Sequence, residues 1–171
     1  MRRAAVTDLA TIGYQGATVH TFLRALTGHG VELLVDVRAV ASSRRPGFSK
    51  TPLAANLQGA GIDYLHLRGL GTPAAGRAAA RAGRHEEMRE IFQAHLATPG
   101  AREELEALAD VVRSGSRVCL LCFETDPAHC HRSLVASALA ELVPVRVTHL
   151  VPPTVPTLED PDRSADASED A

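Results

Sequence analysis

The sequence predicts a three-layer α/β/α sandwich built around a mostly parallel sheet of about five strands. Short apolar runs alternate along the chain with longer amphipathic or charged segments, and glycine or proline separates most of them. Strands that are separated by helices need crossover connections, which favour a parallel sheet with helices on both faces. A chain of 171 residues with 45% hydrophobic content can bury one substantial core. We therefore expect a single α/β domain over residues 1–151.

In the first half of the chain, turn residues separate three apolar runs. Thr18 predicts the start of a helix, because a threonine hydroxyl can accept a hydrogen bond from the free amides of a first turn. The run VELLVDV is rich in β-branched residues and predicts a buried strand. The elements predicted here are a strand at residues 4–12, a helix at 18–26, a strand at 31–37, a short helix near 52–58 and a strand at 62–67.

In the second half, a loop at residues 69–83 precedes a long charged segment. Pro99 and Gly100 predict a break within that segment, so it is expected to form one or two helices. The pair Asp126-Pro127 predicts a helix start, with aspartate as the N-cap and proline at the first helical position. The elements predicted here are helical structure within residues 86–113, a strand at 117–123, a helix at 127–142 and a strand at 145–151.

Charge divides the chain into a body and a tail. Residues 152–171 hold six acidic residues and one arginine among proline, serine and alanine, and such a composition cannot bury a core. We expect a disordered acidic tail that aids solubility or, alternatively, folds over a basic site. The 17 basic and 14 acidic residues that are left give the body about +3, while the whole chain carries −2.

The sequence predicts a cytoplasmic protein without a membrane partner. No apolar run approaches the roughly 20 residues that cross a bilayer, and the first residues lack the apolar core of a signal peptide. Cys119, Cys122 and Cys130 are odd in number and clustered, which argues against a disulfide scaffold in a reducing compartment. Thiol chemistry, metal binding and simple packing remain open for them.

Unusual polar residues gather where the predicted strands end, which is where open parallel sheets bind ligands. The segment VCLLCFETDPAHCHRS is the densest of these places. Glu124 is a candidate general base or arginine partner, and a structural salt bridge is its alternative. Cys130 lies near a helix start, where the dipole lowers a thiol pKa, so it is a candidate nucleophile with His131 or Glu124 as proton carrier. A structural cysteine is the alternative, and Cys122 is expected in the core as a mid-strand residue.

Metal binding competes for the same residues. Cys122, Cys130, His131 and His66 offer the thiolate and imidazole groups that zinc prefers. The spacing C-x7-C-H is not one of the strong zinc patterns, and adjacent cysteine and histidine would have to bend to share one ion. We predict neither a metal nor a cofactor.

The loop ASSRRPGFSK follows the second strand and is basic. Its donors Ser43, Arg44 and Arg45 suit phosphate oxygens, and Phe48 either stacks on a base or anchors the loop to the core. Asp36 and Arg38 lie on one face of the strand before it, so they can pair with each other or contact a ligand. His66, at the end of the third strand, is a candidate acid/base or a core histidine.

Six motifs of the chain, in their order, resemble the domain of unknown function 488 family. They are TIGY at residues 11–14, DVR at 36–38, SRRPGFS at 43–49, GIDYLHL at 61–67, LG at 70–71 and LLCFETDPAHCHR at 120–132. The family pattern begins with TIGHS, and here Tyr14 and Gln15 replace its histidine and serine. The resemblance covers about residues 9–150 and implies a compact α/β domain whose shared polar residues form one site. These residues are Asp36, Arg38, Ser43, Arg44, Glu124, Cys130, His131 and Arg132.

Three functions are compatible with these residues. The first is a small enzyme on a phosphorylated or nucleotide-like substrate, with Glu124 or Cys130 as the reacting group and arginines holding the anion; these are Arg38, Arg44, Arg45 and Arg132. This enzyme hypothesis requires Arg44 and Arg132 to face one pocket. The second is a nucleic-acid-binding module in which Phe48 or Tyr14 stacks on a base. The third is a thiol- or zinc-dependent redox or metal protein. The expected partner is thus an anionic small molecule or a nucleic acid, and no pattern predicts an oligomeric state.

Overall fold

The computed structural model describes residues 5–153, which form a five-stranded parallel sheet with helices on both faces. The strands are β1 (Thr7–Gly13), β2 (Leu33–Asp36), β3 (Asp63–His66), β4 (Val118–Cys122) and β5 (Val145–Leu150). Their order across the sheet is β3-β2-β4-β1-β5, and every neighbouring pair is parallel. The predicted α/β/α class and the strand number are confirmed.

Six helices connect or flank these strands within the described residues. They are α1 (Val19–Gly28), α2 (Lys50–Gly59), α3 (Ala74–Arg81), α4 (His85–Leu96), α5 (Pro99–Arg113) and α6 (His131–Leu142). Thr18 caps α1, since its hydroxyl accepts a hydrogen bond from the amide of Thr21 at 3.1 Å. The predicted break of the charged segment is confirmed by the separation of α4 from α5 at Pro99.

Two helix predictions were wrong. Residues 69–83 are not all loop, because the run AAGRAAAR forms α3; alanine has the highest helix propensity and outweighs the flanking glycines. The helix after β4 begins at His131 and not at Pro127. Residues Pro127–His129 form a separate 3-10 turn, and the Asp126 carboxylate caps this turn through the amide of Ala128. Cys130 is extended and is the N-cap of α6.

The two faces of the sheet bury two apolar clusters. Helices α1 and α2 cover one face, on which Phe22 and Leu57 pack against β1, β2 and β4. Helices α4, α5 and α6 cover the other face, where Phe92 and Leu139 are fully buried. β4 lies at the centre of the sheet and is buried throughout. Residues at its carboxyl end are therefore held by packing on both sides.

The chain leaves the neighbouring strands β1 and β4 toward opposite faces. From β1 it enters α1 on one face, and from β4 it enters α6 on the other face. Gly13 and Cys122, the last residues of the two strands, are paired in the sheet register. Such a divergence opens a crevice at the carboxyl ends of the strands, where open α/β sheets bind ligands.

Within residues 5–153, no helix is long and apolar enough to cross a membrane. Apart from Pro152 and Pro153, the predicted acidic tail lies outside the described residues.

Candidate functional site

A cavity of about 340 Å³ lies in this crevice. Its volume falls in the range of small-molecule sites, which begins at about 300 Å³. Residues from the ends of β1, β2 and β4 line it together with residues of α3 and the start of α6. Its polar and reactive lining residues are Tyr14, Arg38, Ser42, Thr72, Arg77, Arg81, Cys122, Glu124, His129, Cys130 and His131.

Cys122 and Cys130 form a disulfide in the cavity lining. The argument against disulfide bonding is therefore corrected; Cys122 is buried as expected, but it is the last residue of β4 and not a mid-strand residue. The 3-10 turn reverses the chain after β4, so the last residue of the strand meets the N-cap of α6 although eight positions separate them. Cys119 is free and fully buried in β4, and burial raises the pKa of its thiol.

His131 presents an unprotonated nitrogen to the sulfurs. Its Nε2 lies 2.7 Å from the carbonyl oxygen of Val37, and a carbonyl can only accept, so Nε2 carries the proton. The other nitrogen, Nδ1, lies 3.8 Å from Cys130 Sγ. Burial lowers the pKa of His131 to about 4, and the hydrogen bond to Val37 opposes that shift only in part. The imidazole is therefore neutral at neutral pH and can accept a proton or bind a metal.

The two sulfurs and a nitrogen of His131 are also the one cluster of three potential metal ligands found within residues 5–153. These atoms lie within 4.8 Å of one another, and all three residues are buried. When the disulfide is reduced, its two thiolates and the imidazole would suit zinc, with one position left for water or substrate. His66 does not join them, because its Nε2 contacts the carbonyl oxygen of Arg38 at 2.8 Å and the residue does not line the cavity.

Arg132 is fully buried and does not line the cavity. Its Nε donates to the Thr11 hydroxyl at 3.1 Å, and its two terminal nitrogens donate to the carbonyl oxygens of Glu124 and Thr125. Burial lowers the pKa of Arg132. The expectation that Arg132 holds an anion is corrected: its donors hold the loop between β4 and α6. The half-buried Glu124 itself lines the cavity.

Asp36 and Arg38 form a buried ion pair. The guanidinium donates to both carboxylate oxygens, at 2.9 and 2.7 Å, and the Tyr64 hydroxyl donates to the same carboxylate at 2.6 Å. Burial disfavours the charge of Arg38, but the hydrogen bond and attraction of Asp36 outweigh it and raise the pKa of Arg38. Arg38 also donates to the Phe48 carbonyl oxygen at 2.8 Å. Although Arg38 lines the cavity, its charge is compensated by Asp36.

The basic loop is largely occupied by its own hydrogen bonds. The amide of Ser43 donates to Ser49 Oγ at 2.9 Å, and the amide of Arg45 donates to Ser43 Oγ at 3.1 Å. The Arg45 guanidinium donates to the carbonyl oxygen of Ala17. Arg44 is exposed and does not line the cavity. Arg44 and Arg132 therefore do not share a pocket, and the anion site expected from them is corrected.

Phe48 anchors this loop to the core. It is 1% exposed, and its ring stacks on Tyr14 with 4.6 Å between the ring centroids. Tyr14 is itself 3% exposed. The expectation that either ring stacks on a nucleic-acid base is corrected, because the two rings stack on each other.

Arg77 and Arg81 are the cavity cations that the sequence prediction missed. They lie four residues apart on α3, so they project from one side of that helix. Arg77 Nη1 donates to the carbonyl oxygen of Thr72 at 2.9 Å, which fixes its side chain beside the cavity. The signal was present as RAAAR in an alanine-rich run, but it becomes informative only once that run is known to be helical.

A family model described as domain of unknown function DUF488 matches residues 18–139. The chain belongs to the DUF488 family. The resemblance to this family is thereby confirmed over residues 18–139, which hold five of the six motifs; TIGY at residues 11–14 precedes the match. The matched part of this DUF488 protein runs from the start of α1 into α6 and contains every residue of the cavity lining except Tyr14. Comparison with curated proteins and with solved structures found no match.

Proposed function

We propose that this DUF488 protein binds a small anionic substrate, of the phosphate- or nucleotide-bearing class, in the cavity at the carboxyl ends of its strands. The observation that carries the proposal is the pair Arg77 and Arg81, which line the same cavity as Cys130 and His131. A guanidinium group offers five donors in a planar fork that matches phosphate and carboxylate oxygens.

The charges of the lining support an anion. The charge of Arg38 is compensated by Asp36, whereas no carboxylate contacts Arg77 or Arg81 within 4 Å among the described residues. The guanidinium group of Arg77 donates one hydrogen bond within the protein, to Thr72, so its other N–H donors are available to a ligand. Glu124 is the one carboxylate in the lining, and it is suited to proton transfer.

The proposed enzyme would hold the anionic group of its substrate on α3. The reacting atoms of the substrate would then lie against the other groups of the lining. His131 Nδ1 is an unprotonated acceptor there, and Glu124 lies in the same lining. A small molecule is favoured over a nucleic acid because the cavity measures about 340 Å³ and both aromatic rings expected to stack on bases are buried.

Calorimetric titration with adenosine monophosphate and with neutral adenosine tests this proposal. We expect the monophosphate to bind and Arg81→Gln or Arg77→Gln to weaken its binding about tenfold or more, because a hydrogen bond to a charged group contributes about 1.5–3 kcal/mol. Arg84→Gln is the matched control, because Arg84 is an exposed surface arginine that pairs with Glu87.

Equal affinity for adenosine and its monophosphate, or an unchanged affinity in the Arg77→Gln/Arg81→Gln double variant, would contradict the anion site. A labelled single-stranded oligonucleotide titrated at several salt concentrations provides the comparison with nucleic acid. Tight binding that falls steeply with salt would favour the nucleic-acid module instead.

A further inference from the structure

We propose that Cys122 and Cys130 are a reversible dithiol–disulfide pair that exchanges with a carboxylate-bearing, low-molecular-weight disulfide. The inference that this substrate is anionic rests on the proposed function, the anion site of Arg77 and Arg81. The exchange itself rests on the cysteines and on His131.

Both sulfurs of the pair belong to residues that line the cavity. Cys122 and Cys130 are 3% and 4% exposed, and what remains open of them faces a space large enough for a small molecule. Cys119 of the same strand is fully buried in the opposite apolar cluster and lines no part of the cavity. Within twelve residues the chain thus carries two cysteines that line the cavity and one that does not.

Cys130 has the surroundings of an attacking thiol. The hydrogen bond to Val37 leaves His131 Nδ1 as an acceptor, and this nitrogen lies 3.8 Å from Cys130 Sγ. Cys130 is also the N-cap of α6, a helix of twelve residues, whose positive end favours a thiolate. Cys122 is the last residue of β4 and lies within bonding distance of Cys130. It is therefore placed to act as the resolving thiol, which attacks a mixed disulfide formed on Cys130.

Hydrogen bonds hold the loop between the two cysteines in addition to the disulfide. Arg132 donates to the carbonyl oxygens of Glu124 and Thr125, and the Thr125 hydroxyl donates to the carbonyl oxygen of Gln15 at 2.9 Å. Asp126 caps the 3-10 turn that follows. Because none of these contacts involves the two sulfurs, we expect the sulfurs to stay adjacent when the bond between them is open, which a reversible pair requires.

The exchange balances as two thiolate displacements. The Cys130 thiol gives its proton to His131, and its sulfur attacks one sulfur of the substrate disulfide, forming a mixed disulfide and releasing a thiolate that takes up the proton. The Cys122 sulfur then attacks Cys130 Sγ, which forms the Cys122–Cys130 bond and releases the second small thiol with the Cys122 proton. The protein dithiol is oxidised, and the substrate disulfide is reduced to two thiols.

Two reagents of similar size and opposite charge test the proposal: 3,3′-dithiodipropionate, which is anionic, and cystamine, which is cationic. Reduced full-length protein is mixed with each, and thiol loss and adduct mass are followed. We expect release of two small thiols per chain and a reaction about tenfold faster or more with the anionic reagent, the scale of electrostatic attraction into a charged cleft.

Variants separate the roles of the three cysteines. Cys122→Ser should stop at a mixed disulfide on Cys130, and His131→Gln should slow the first displacement, because it removes the acceptor nitrogen 3.8 Å from Cys130 Sγ. Cys119→Ser is the control and should behave as the unaltered chain, because Cys119 does not line the cavity.

An adduct on Cys122 in place of Cys130, or no exchange with either reagent, would overturn the proposal. Stoichiometric zinc that binds the reduced protein and blocks exchange would also overturn it, in favour of a metal centre. Exchange at equal rates with both reagents would refute the anionic substrate class, but it would still support a reversible dithiol–disulfide pair. Nucleotide binding without thiol exchange would leave the proposed function and remove this inference.

Discussion

Arg132 is a buried cation that interacts with neutral oxygens instead of a carboxylate. Its three donor nitrogens contact one hydroxyl and two carbonyl oxygens, of Thr11, Glu124 and Thr125. Burying a charge is costly unless hydrogen bonds satisfy it, and removing such a group leaves its partners unsatisfied. The residue therefore couples the middle of β1 to the loop that forms one wall of the cavity.

We expect Arg132→Met to lower the free energy of unfolding by about 3 kcal/mol, because it leaves the buried Thr11 hydroxyl and the part-buried carbonyl oxygens of Glu124 and Thr125 without these donors. Urea denaturation followed by circular dichroism measures the change. Arg44→Met is the matched control, since Arg44 is exposed, and it should change the stability by less than about 0.5 kcal/mol. Equal losses in the two variants would show that Arg132 does not hold the loop.

Single residues were predictable from the sequence only where local geometry decides their contacts. Asp36 and Arg38 share a strand face, so their ion pair follows from spacing. Arg132 and Arg44 could not be distinguished in this way, because charge alone does not tell whether a guanidinium turns inward or outward. The disulfide was missed for a related reason: its formation depends on the turn that brings the two cysteines together, and not on their spacing.

Among the secondary-structure elements, the end of β1 and the loop after β4 are in direct contact. A Cβ atom placed on Gly13 would lie only 1.8 Å from the carbonyl oxygen of Glu124. Glycine is therefore needed at this position because the two backbones touch, and not because of an unusual backbone angle. The contact sets the distance between β1 and the wall of the cavity that carries Glu124.

Gly13→Ala should lower the free energy of unfolding by about 2 kcal/mol, because an inserted methyl group forces the two backbones apart. Gly100→Ala is the control, since a Cβ at Gly100 has no neighbour within 4 Å and the residue lies in the first turn of α5. We expect that variant to be neutral or more stable by up to about 1 kcal/mol. Urea denaturation compares them, and a Gly13→Ala variant as stable as the unaltered chain would disprove the close contact.

The sequence predicts the elements better where apolar periodicity is strong. α1, α4, α5 and the five strands each carry that pattern, and each was placed within a few residues. α3 escaped prediction because it is short, is interrupted by Gly76 and is flanked by glycines, so only its alanine content indicates a helix. The start of α6 was misplaced since aspartate and proline favour a 3-10 turn as well as an α-helix.

At the scale of the whole molecule, the position of the cavity follows from topology. The alternation of strands and helices predicts a parallel sheet, and the carboxyl ends of its strands predict a site. The strand order was not predictable, because sequence alone does not say which strands are neighbours. β1 and β4 are adjacent although β2 and β3 lie between them in the chain, and this adjacency places the crevice.

The stability of the whole fold should depend on pH through His131. Its pKa is 6.5 as an ordinary histidine and about 4 in the folded protein, where burial disfavours the charge. Between these values the unfolded chain binds more protons than the folded one, so the free energy of unfolding falls as the pH falls. The loss begins near pH 6.5 and reaches about 3 kcal/mol near pH 4, at 1.36 kcal/mol per pKa unit.

Urea denaturation of the unaltered chain and of His131→Gln, from pH 4 to pH 7.5, measures this dependence. The variant should show a shallower loss over that range, whereas the control His20→Gln, at an exposed position of α1, should keep the slope of the unaltered chain. Parallel curves for the unaltered chain and His131→Gln would show that His131 does not cause the dependence.

The way Arg132 binds the loop makes the fold of the loop independent of the side chain at residue 124. Both of its contacts to the loop are to main-chain oxygens, so they are kept whatever side chain residue 124 carries. A neutral, acidic or basic residue at this position would alter the polarity of the cavity while the frame around it stays in place. The polarity of the cavity can therefore change at this position by single substitutions, without a second change to repair the fold.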